Sequence, residues 1–180
     1  VRGAIPFAAE QVAIMLRMVE RGRVPVRRFL DVGAGDGVLS AALLSRFPQA
    51  ESVLVDFSPL MLATARERLA PLTARPVVLQ ADLATPAWHD AVAAHAPFDA
   101  IISGLAIHHL EDARKRALYR ELHELLRPGG AFAHIEHVAA ESEWIAQSFD
   151  EAMIDAIWVH GRRANPALGR DEAAATYESR

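Results

Sequence analysis

The side chains that could do chemistry fall in five short segments. The first is Asp31-Val32-Gly33-Ala34-Gly35-Asp36-Gly37, a glycine loop that follows one apolar run and opens another. Glycines there let the backbone turn tightly and let a ligand approach the main chain. Asp56 and Asp82 each close a further apolar run. Asp56 lies about 20 residues beyond the loop, the separation at which an acidic residue can take ribose hydroxyls. The fourth segment runs from Ser103 to the adjacent pair His108 and His109, and the fifth is Glu136-His137. Histidine titrates near neutrality and can take a proton from a hydroxyl or an amine. The loop spacing is GxGxG, not the GxGxxG of dinucleotide sites. With Asp31, Asp56 and Asp82 on one rim, a pyrophosphate would be poorly seated. The rim suits a ligand that carries a ribose, an exocyclic amine and positive charge.

The elements that must position these groups alternate. Residues 8–21 place Val12, Met15, Leu16 and Val19 at helical spacing, and Gly22 and Pro25 end the helix. RFLDVG forms a strand that runs into the glycine loop, and a helix follows over 38–46 until Pro48. ESVLVD (51–56) is a strand. Ser58-Pro59 caps the next helix, since Ser is a good N-cap and Pro is tolerated at the first helical position. PVVLQ (76–80) and FDAIISG (98–104) are strands with a weaker helix at 86–95 between them. Residues 112–126 form a helix with Leu118, Leu122 and Leu125 inward. Pro128-Gly129-Gly130 predicts a turn before a fifth strand at 131–138. Asp99 is expected to serve the start of the fourth strand, and Asp36 to lie in solvent. Strands alternating with helices give right-handed βαβ units, and hence a doubly wound, mainly parallel α/β sheet. Ligands bind such sheets beyond the carboxyl ends of the strands, where all five segments fall.

Five segments in order resemble the class I S-adenosylmethionine-dependent methyltransferases over residues 29–138: FLDVGAGDG, VLVDFSPLML, QADLATP, FDAIISGLAIHHL and LRPGGAFAHIEH. The resemblance implies a Rossmann-like sheet of order 3-2-1-4-5. It implies S-adenosylmethionine as cofactor, whose ribose, adenine amine and cationic centres match the carboxylate rim. By position, Gly33 and Gly35 would line the methionine moiety, with Asp31 supporting its ammonium. Asp56 would bind the ribose hydroxyls and Met61 would pack on adenine. Asp82 would accept from adenine N6, the Leu83 N–H would meet the ring, and Ser103 would lie under the sulfonium. His108 or His109 would carry any proton transfer, with Glu136 and His137 touching the acceptor. The spacing of these four demands no metal, and none is expected. The fourth strand ends in SGLAIHH and lacks the Asn/Asp-Pro-Pro-aromatic segment of enzymes that methylate amino groups of bases or glutamine, so a small organic acceptor is expected. The other readings are a modified tRNA base as acceptor, a cofactor-binding or scaffolding module without turnover, and a nicotinamide oxidoreductase. The last is disfavoured by the glycine spacing and by Asp82.

The 180 residues carry a net charge of -4 and no cysteine, which excludes disulfides, thiolate zinc sites and a cysteine nucleophile. That charge gives no whole-chain basis for nucleic-acid binding. Arg21, Arg23, Arg27 and Arg28, and Arg162, Arg163 and Arg170, read as solvated surface. No apolar run approaches the ~20 residues of a membrane span. No signal peptide is visible, and a cytoplasmic location is expected. Residues 1–180 read as one domain: a helical segment at 1–25, a cofactor-binding core at 26–138, and a helical tail at 139–180. In the tail, Ile145, Phe149, Met153 and Ile157 share a face that could pack or act as a lid. The family's sheet ends in a sixth and an antiparallel seventh strand, and the sequence is expected to lack both, as a truncated or reduced form. The sheet edge so left, or the tail, would then be the surface for a homodimer. The chain starts with Val1, so its native start is expected elsewhere.

Overall fold

The computed structural model describes residues 5–72 and 76–179. In chain order the elements are α1 (Ala8–Glu20), β1 (Arg28–Val32), α2 (Val38–Arg46), β2 (Glu51–Asp56), α3 (Pro59–Leu69), β3 (Val77–Gln80), α4 (Ala87–Ala93), β4 (Phe98–Gly104), α5 (Asp112–Leu125), β5 (Leu126–Ile135), α6 (Glu143–Gly161) and α7 (Arg170–Glu178). A single 3₁₀ turn, Ile107–His109, follows β4. The chain divides into two compact units. Residues 12–137 form one, and the N-terminal residues through Gln11 with residues from Val138 onward form the other.

In the first unit the five strands make one sheet of order β3-β2-β1-β4-β5, and every neighbouring pair is parallel. The order and direction agree with those the resemblance implies. Both faces are covered, so the central strands bury successive residues alternately up and down. Phe29, Leu54, Ala100 and Ile102 pack on one face with Met15, Val19, Leu39, Leu43, Leu44, Ala65 and Leu69. Leu30, Val32, Val53, Val55 and Ile101 pack on the other with Trp88, Val92, Leu118, Leu122 and Leu125. Each fully buried aliphatic or aromatic side chain contributes about 1.5–3 kcal/mol of transfer free energy. The inward stripes expected on α1 and α5 are among those that close the core.

The fifth strand differs from its expected span. It begins at Leu126, directly after α5, and ends at Ile135. The Pro128-Gly129-Gly130 turn is absorbed within it. Leu126 pairs with Phe98 and Ala131 with Ala100, so β5 spends five residues where β4 spends two. Gly129 takes up the bend at φ 85°, a conformation open to glycine.

Asp99 fastens this irregular start. One carboxylate oxygen accepts from Arg27 N and Arg28 N, both at 2.9 Å, and the other accepts from Arg127 Nε at 2.7 Å. It thus ties the first residues of β1, β4 and the β5 bulge together, a wider task than serving β4 alone. Asp36, expected in solvent, is half-buried and accepts from Arg68 Nη2 at 2.7 Å.

In the second unit, Ser142 caps α6 by accepting from Ile145 N at 3.3 Å. Of the face Ile145, Phe149, Met153 and Ile157, Ile157 is buried, packed with Ala173, Trp158 and Tyr177, whereas Phe149 is exposed. The Trp158 indole N–H donates to the Leu168 carbonyl at 2.9 Å, which folds the α6–α7 connection back on α6. No helix among the described residues is long and apolar enough to cross a membrane.

Asp99→Ala leaves two strand-end N–H groups and one guanidinium without their buried acceptor. It should cost about 2–4 kcal/mol, read as a lower midpoint in urea unfolding.

Candidate functional site

Because all five strands are parallel, every candidate residue of the first unit lies at one edge, beyond their carboxyl ends. At the end of β1 the chain enters the glycine loop with Gly33, Gly35 and Gly37 at φ 66°, 54° and 74°. L-residues with side chains are strained there. A Cβ on Gly33 would also lie 2.3 Å from the Ala106 Cβ, so the loop and the chain after β4 touch backbone to side chain. Gly33 N and Ala34 N donate to the Val55 carbonyl at 2.9 and 3.0 Å, extending the β1–β2 pairing into the loop.

Two carboxylates hold this turn. Asp31 is fully buried, and its Oδ2 accepts from Ser40 N at 3.1 Å and from Ser40 Oγ at 2.7 Å, which ties β1 to the first turn of α2. Asp56, at the end of β2, accepts from Gly35 N at 2.8 Å through Oδ2 and from Ser58 N at 2.8 Å through Oδ1. An ionised carboxylate has about four lone-pair sites, so Asp56 retains acceptor capacity after both bonds. Beside it, Phe57, Leu60 and Met61 are exposed apolar side chains.

At the end of β3, Asp82 is exposed and its Oδ1 accepts from Ala84 N at 2.9 Å. Leu83 buries its side chain, and its carbonyl accepts from Arg114 Nε at 2.6 Å. Arg114 is itself held by Glu121, with Nη1 and Nη2 donating to the two carboxylate oxygens at 2.8 and 2.6 Å. Trp88, fully buried, donates its indole N–H to the same Glu121 at 2.6 Å. The Arg114 guanidinium holds the Glu121 carboxyl below its ordinary range, and Glu121 holds Arg114 above its own.

At the end of β4, Ser103 is fully buried and donates to the Val32 carbonyl at 2.7 Å. Leu105 stands at φ 55°, a left-handed position that costs a side-chain residue about 1 kcal/mol and turns the chain into the 3₁₀ segment. That segment is clamped by one carboxylate. Glu136 Oε2 accepts from Ile107 N at 2.8 Å and from His108 N at 3.1 Å, while Oε1 meets His108 Nδ1 at 2.5 Å and accepts from His137 N at 2.9 Å. Burial pushes the Glu136 carboxyl up, but the His108 ring and the His137 and His108 N–H groups pull it down further, so it titrates below the ordinary carboxylate range. The His108 ring lies 3.9 Å from that of His109 and 5.3 Å from that of His137, centroid to centroid.

The structure thus gathers Asp31, Gly33, Gly35, Asp56, Met61, Asp82, Leu83 and Ser103 around the ends of β1 to β4, and His108, His109, Glu136 and His137 at the ends of β4 and β5. Asp31, through its bonds to Ser40, and Ser103, through its bond to the Val32 carbonyl, brace the fold itself. Ser40, Arg114, Glu121 and Trp88 went unread in the sequence. Arg114 and Glu121 lie two helical turns apart on one face of α5, a spacing that was legible. Nothing local pointed to Leu83 as their target. Among the described residues, no group of three His, Asp or Glu side chains is arranged to hold a metal.

Sheet order and the glycine loop after β1 together define a Rossmann-like fold. Residues 29–130 match the profile of the family described as methyltransferase domain, and the chain belongs to that family. An uncharacterized methyltransferase of Mycobacterium tuberculosis is 41% identical over 109 residues, 61% of this chain and 50% of that protein. A malonyl-[acyl-carrier protein] O-methyltransferase of Halorhodospira halophila is 39% identical over 118 residues, 65% of this chain and 37% of its own. Among solved structures, the S-adenosylmethionine-bound amino pentose methyltransferase from Micromonospora echinaspora superposes with a TM-score of 0.59 at 26% identity, over 73% of this chain and 52% of that one. The chain spans half the length of the first of these relatives.

Glu136 titrates low, so its contribution to stability is complete above the ordinary carboxylate range and is lost as the pH falls through its lowered value. Glu136→Gln should cost about 1–3 kcal/mol at neutral pH. The melting-temperature gap between wild type and variant should narrow steadily on acidification.

Proposed function

We propose that this chain binds S-adenosylmethionine at the ends of β1, β2 and β3 and transfers its methyl group to a small organic acceptor held at the ends of β4 and β5. The observation that carries this reading is the acceptor-rich rim. Asp56 keeps unspent lone pairs beside the glycine loop, and Asp82 stands exposed one strand away. These acceptors suit ribose hydroxyls and an adenine amine, and the same carboxylates repel a pyrophosphate. When bound, the cofactor supplies a methyl group already activated on a sulfonium.

Each residue then has a task. Asp56 takes the two ribose hydroxyls, and Met61 covers one face of adenine. Asp82 accepts from the adenine amine while the Leu83 N–H donates to the ring. Gly33 and Gly35 let the methionine moiety lie against the main chain, and Asp31 fixes the start of α2 from which that moiety is held. Ser103 shapes the floor beneath the sulfonium. In-line transfer depends chiefly on orienting and desolvating the acceptor. Where the acceptor must lose a proton, His108 is the base: its Nδ1–H bond to Glu136 leaves Nε2 as the accepting nitrogen. His109 and His137 flank it as acceptor contacts. Small-molecule acceptors are supported by the relatives, whose names specify malonyl-[acyl-carrier protein] and an amino pentose.

Calorimetry of the folded protein with S-adenosylmethionine and S-adenosylhomocysteine, with NAD as control, tests the reading. Both adenosyl ligands should bind and NAD should not, and Asp56→Ala should weaken binding about 10- to 100-fold. Absence of binding by protein that melts cooperatively would overturn it.

A further inference from the structure

We infer that Arg114 is a positioning residue for base selection: by holding the Leu83 carbonyl while locked on Glu121, it aims the Asp82–Leu83 edge at adenine rather than at other purines. The inference rests on the adenosyl-ligand reading above. β3 is an edge strand only four residues long, half-exposed along most of its length. The segment after it has no regular structure of its own. Its turn is closed by Ala84 N on Asp82 Oδ1 and by Thr85 N on the Asp82 carbonyl at 3.1 Å. A free-standing turn of this kind would rock, and a donor–acceptor edge that rocks reads a base poorly.

Arg114 removes that freedom. Its Nε reaches across from α5 to the Leu83 carbonyl, and both Nη groups are spent on Glu121. Glu121 in turn is fixed by the indole of Trp88 on α4, the helix that the turn leads into. The Leu83 N–H shares its peptide plane with the Asp82 carbonyl, which accepts from Thr85 N. With the Leu83 side chain buried and its own carbonyl held by Arg114, the Cα that joins the two planes is fixed, and the N–H with it. The bidentate fork matters, because a lysine ammonium could satisfy one of these acceptors but not hold all three in one plane. Adenine presents an acceptor at N1 and a donor at N6, complementary to the Leu83 N–H and the Asp82 carboxylate. Hypoxanthine inverts both, with a donor at N1 and an acceptor at O6. A fixed edge therefore discriminates strongly between them, and a loose edge does not.

The test compares the dissociation constants of S-adenosylhomocysteine and S-inosylhomocysteine for wild type, Arg114→Lys, and the charge-matched double variant Arg114→Met/Glu121→Gln, each checked for a cooperative melt. Wild type should prefer the adenine ligand by about tenfold or more. In both variants the preference should fall to about threefold or less, chiefly through lost affinity for the adenine ligand. Should the double variant not fold, the ratio is read on Arg114→Lys, which keeps the charge. Variants that weaken both ligands equally, with the ratio intact, would make Arg114 a structural brace and overturn the inference. Equal binding of both ligands by wild type would also overturn it while leaving the adenosyl reading standing. Binding of neither ligand by wild type would remove both.

Discussion

Where β1 turns into α2, the chain must reverse within a few residues and present N–H groups at a helix start. Glycines with positive φ make the turn sterically accessible, but sterics alone would leave it loose. Two carboxylates from the ends of neighbouring strands supply what is missing. Asp31 draws the first turn of α2 down onto β1, and Asp56 catches the Gly35 N–H from the side of β2. The sheet order 3-2-1-4-5 places β2 directly beside β1, so the second bond exists only in this topology. Loop, strand order and acidic rim are therefore one arrangement.

The opposite end of the site is organised by a different device. Beyond β4 the chain has little regular structure, and a strained Leu105 followed by a single 3₁₀ turn must hold its shape without a helix or a strand. Glu136 does this from the neighbouring strand, and in doing so it uses the same carboxylate to orient an imidazole. Backbone support and side-chain orientation come from one residue, which explains how an ionised carboxylate tolerates partial burial: both its oxygens are matched by donors.

Much of this was readable from the sequence. The alternation of apolar runs with amphipathic ones, the Ser58-Pro59 start and the spacing of glycines and aspartates located the strands, most helices and the edge where the candidate site residues gather. These features are local, and local patterns survive in a sequence. β5 was misread because Pro-Gly-Gly normally ends an element; here the parallel register with β4 resumes beyond it, and pairing across strands overrides local turn chemistry. The Arg114–Glu121–Trp88 brace and the Glu136 clamp were not legible because each joins segments some 30 residues apart in sequence, through bonds that only the folded sheet brings within reach. Helical spacing likewise identifies the α6 face of Ile145, Phe149, Met153 and Ile157 but not whether anything covers it, and Phe149 is exposed.

The Glu136 clamp also constrains how such a domain can diversify. A change at position 136 would strip support from the turn at 107 and 108 in the same step, so these two stretches of chain can only drift together. His109 stands next to the clamp without carrying it, and His137 joins it only through its main-chain N–H, which any residue but proline supplies. The side chains at those two positions could therefore be exchanged one at a time while the turn, the oriented imidazole and the adjoining strand ends persist unchanged. The same division leaves the glycine-loop end of the sheet untouched while the β4–β5 end is rewritten around a fixed carboxylate.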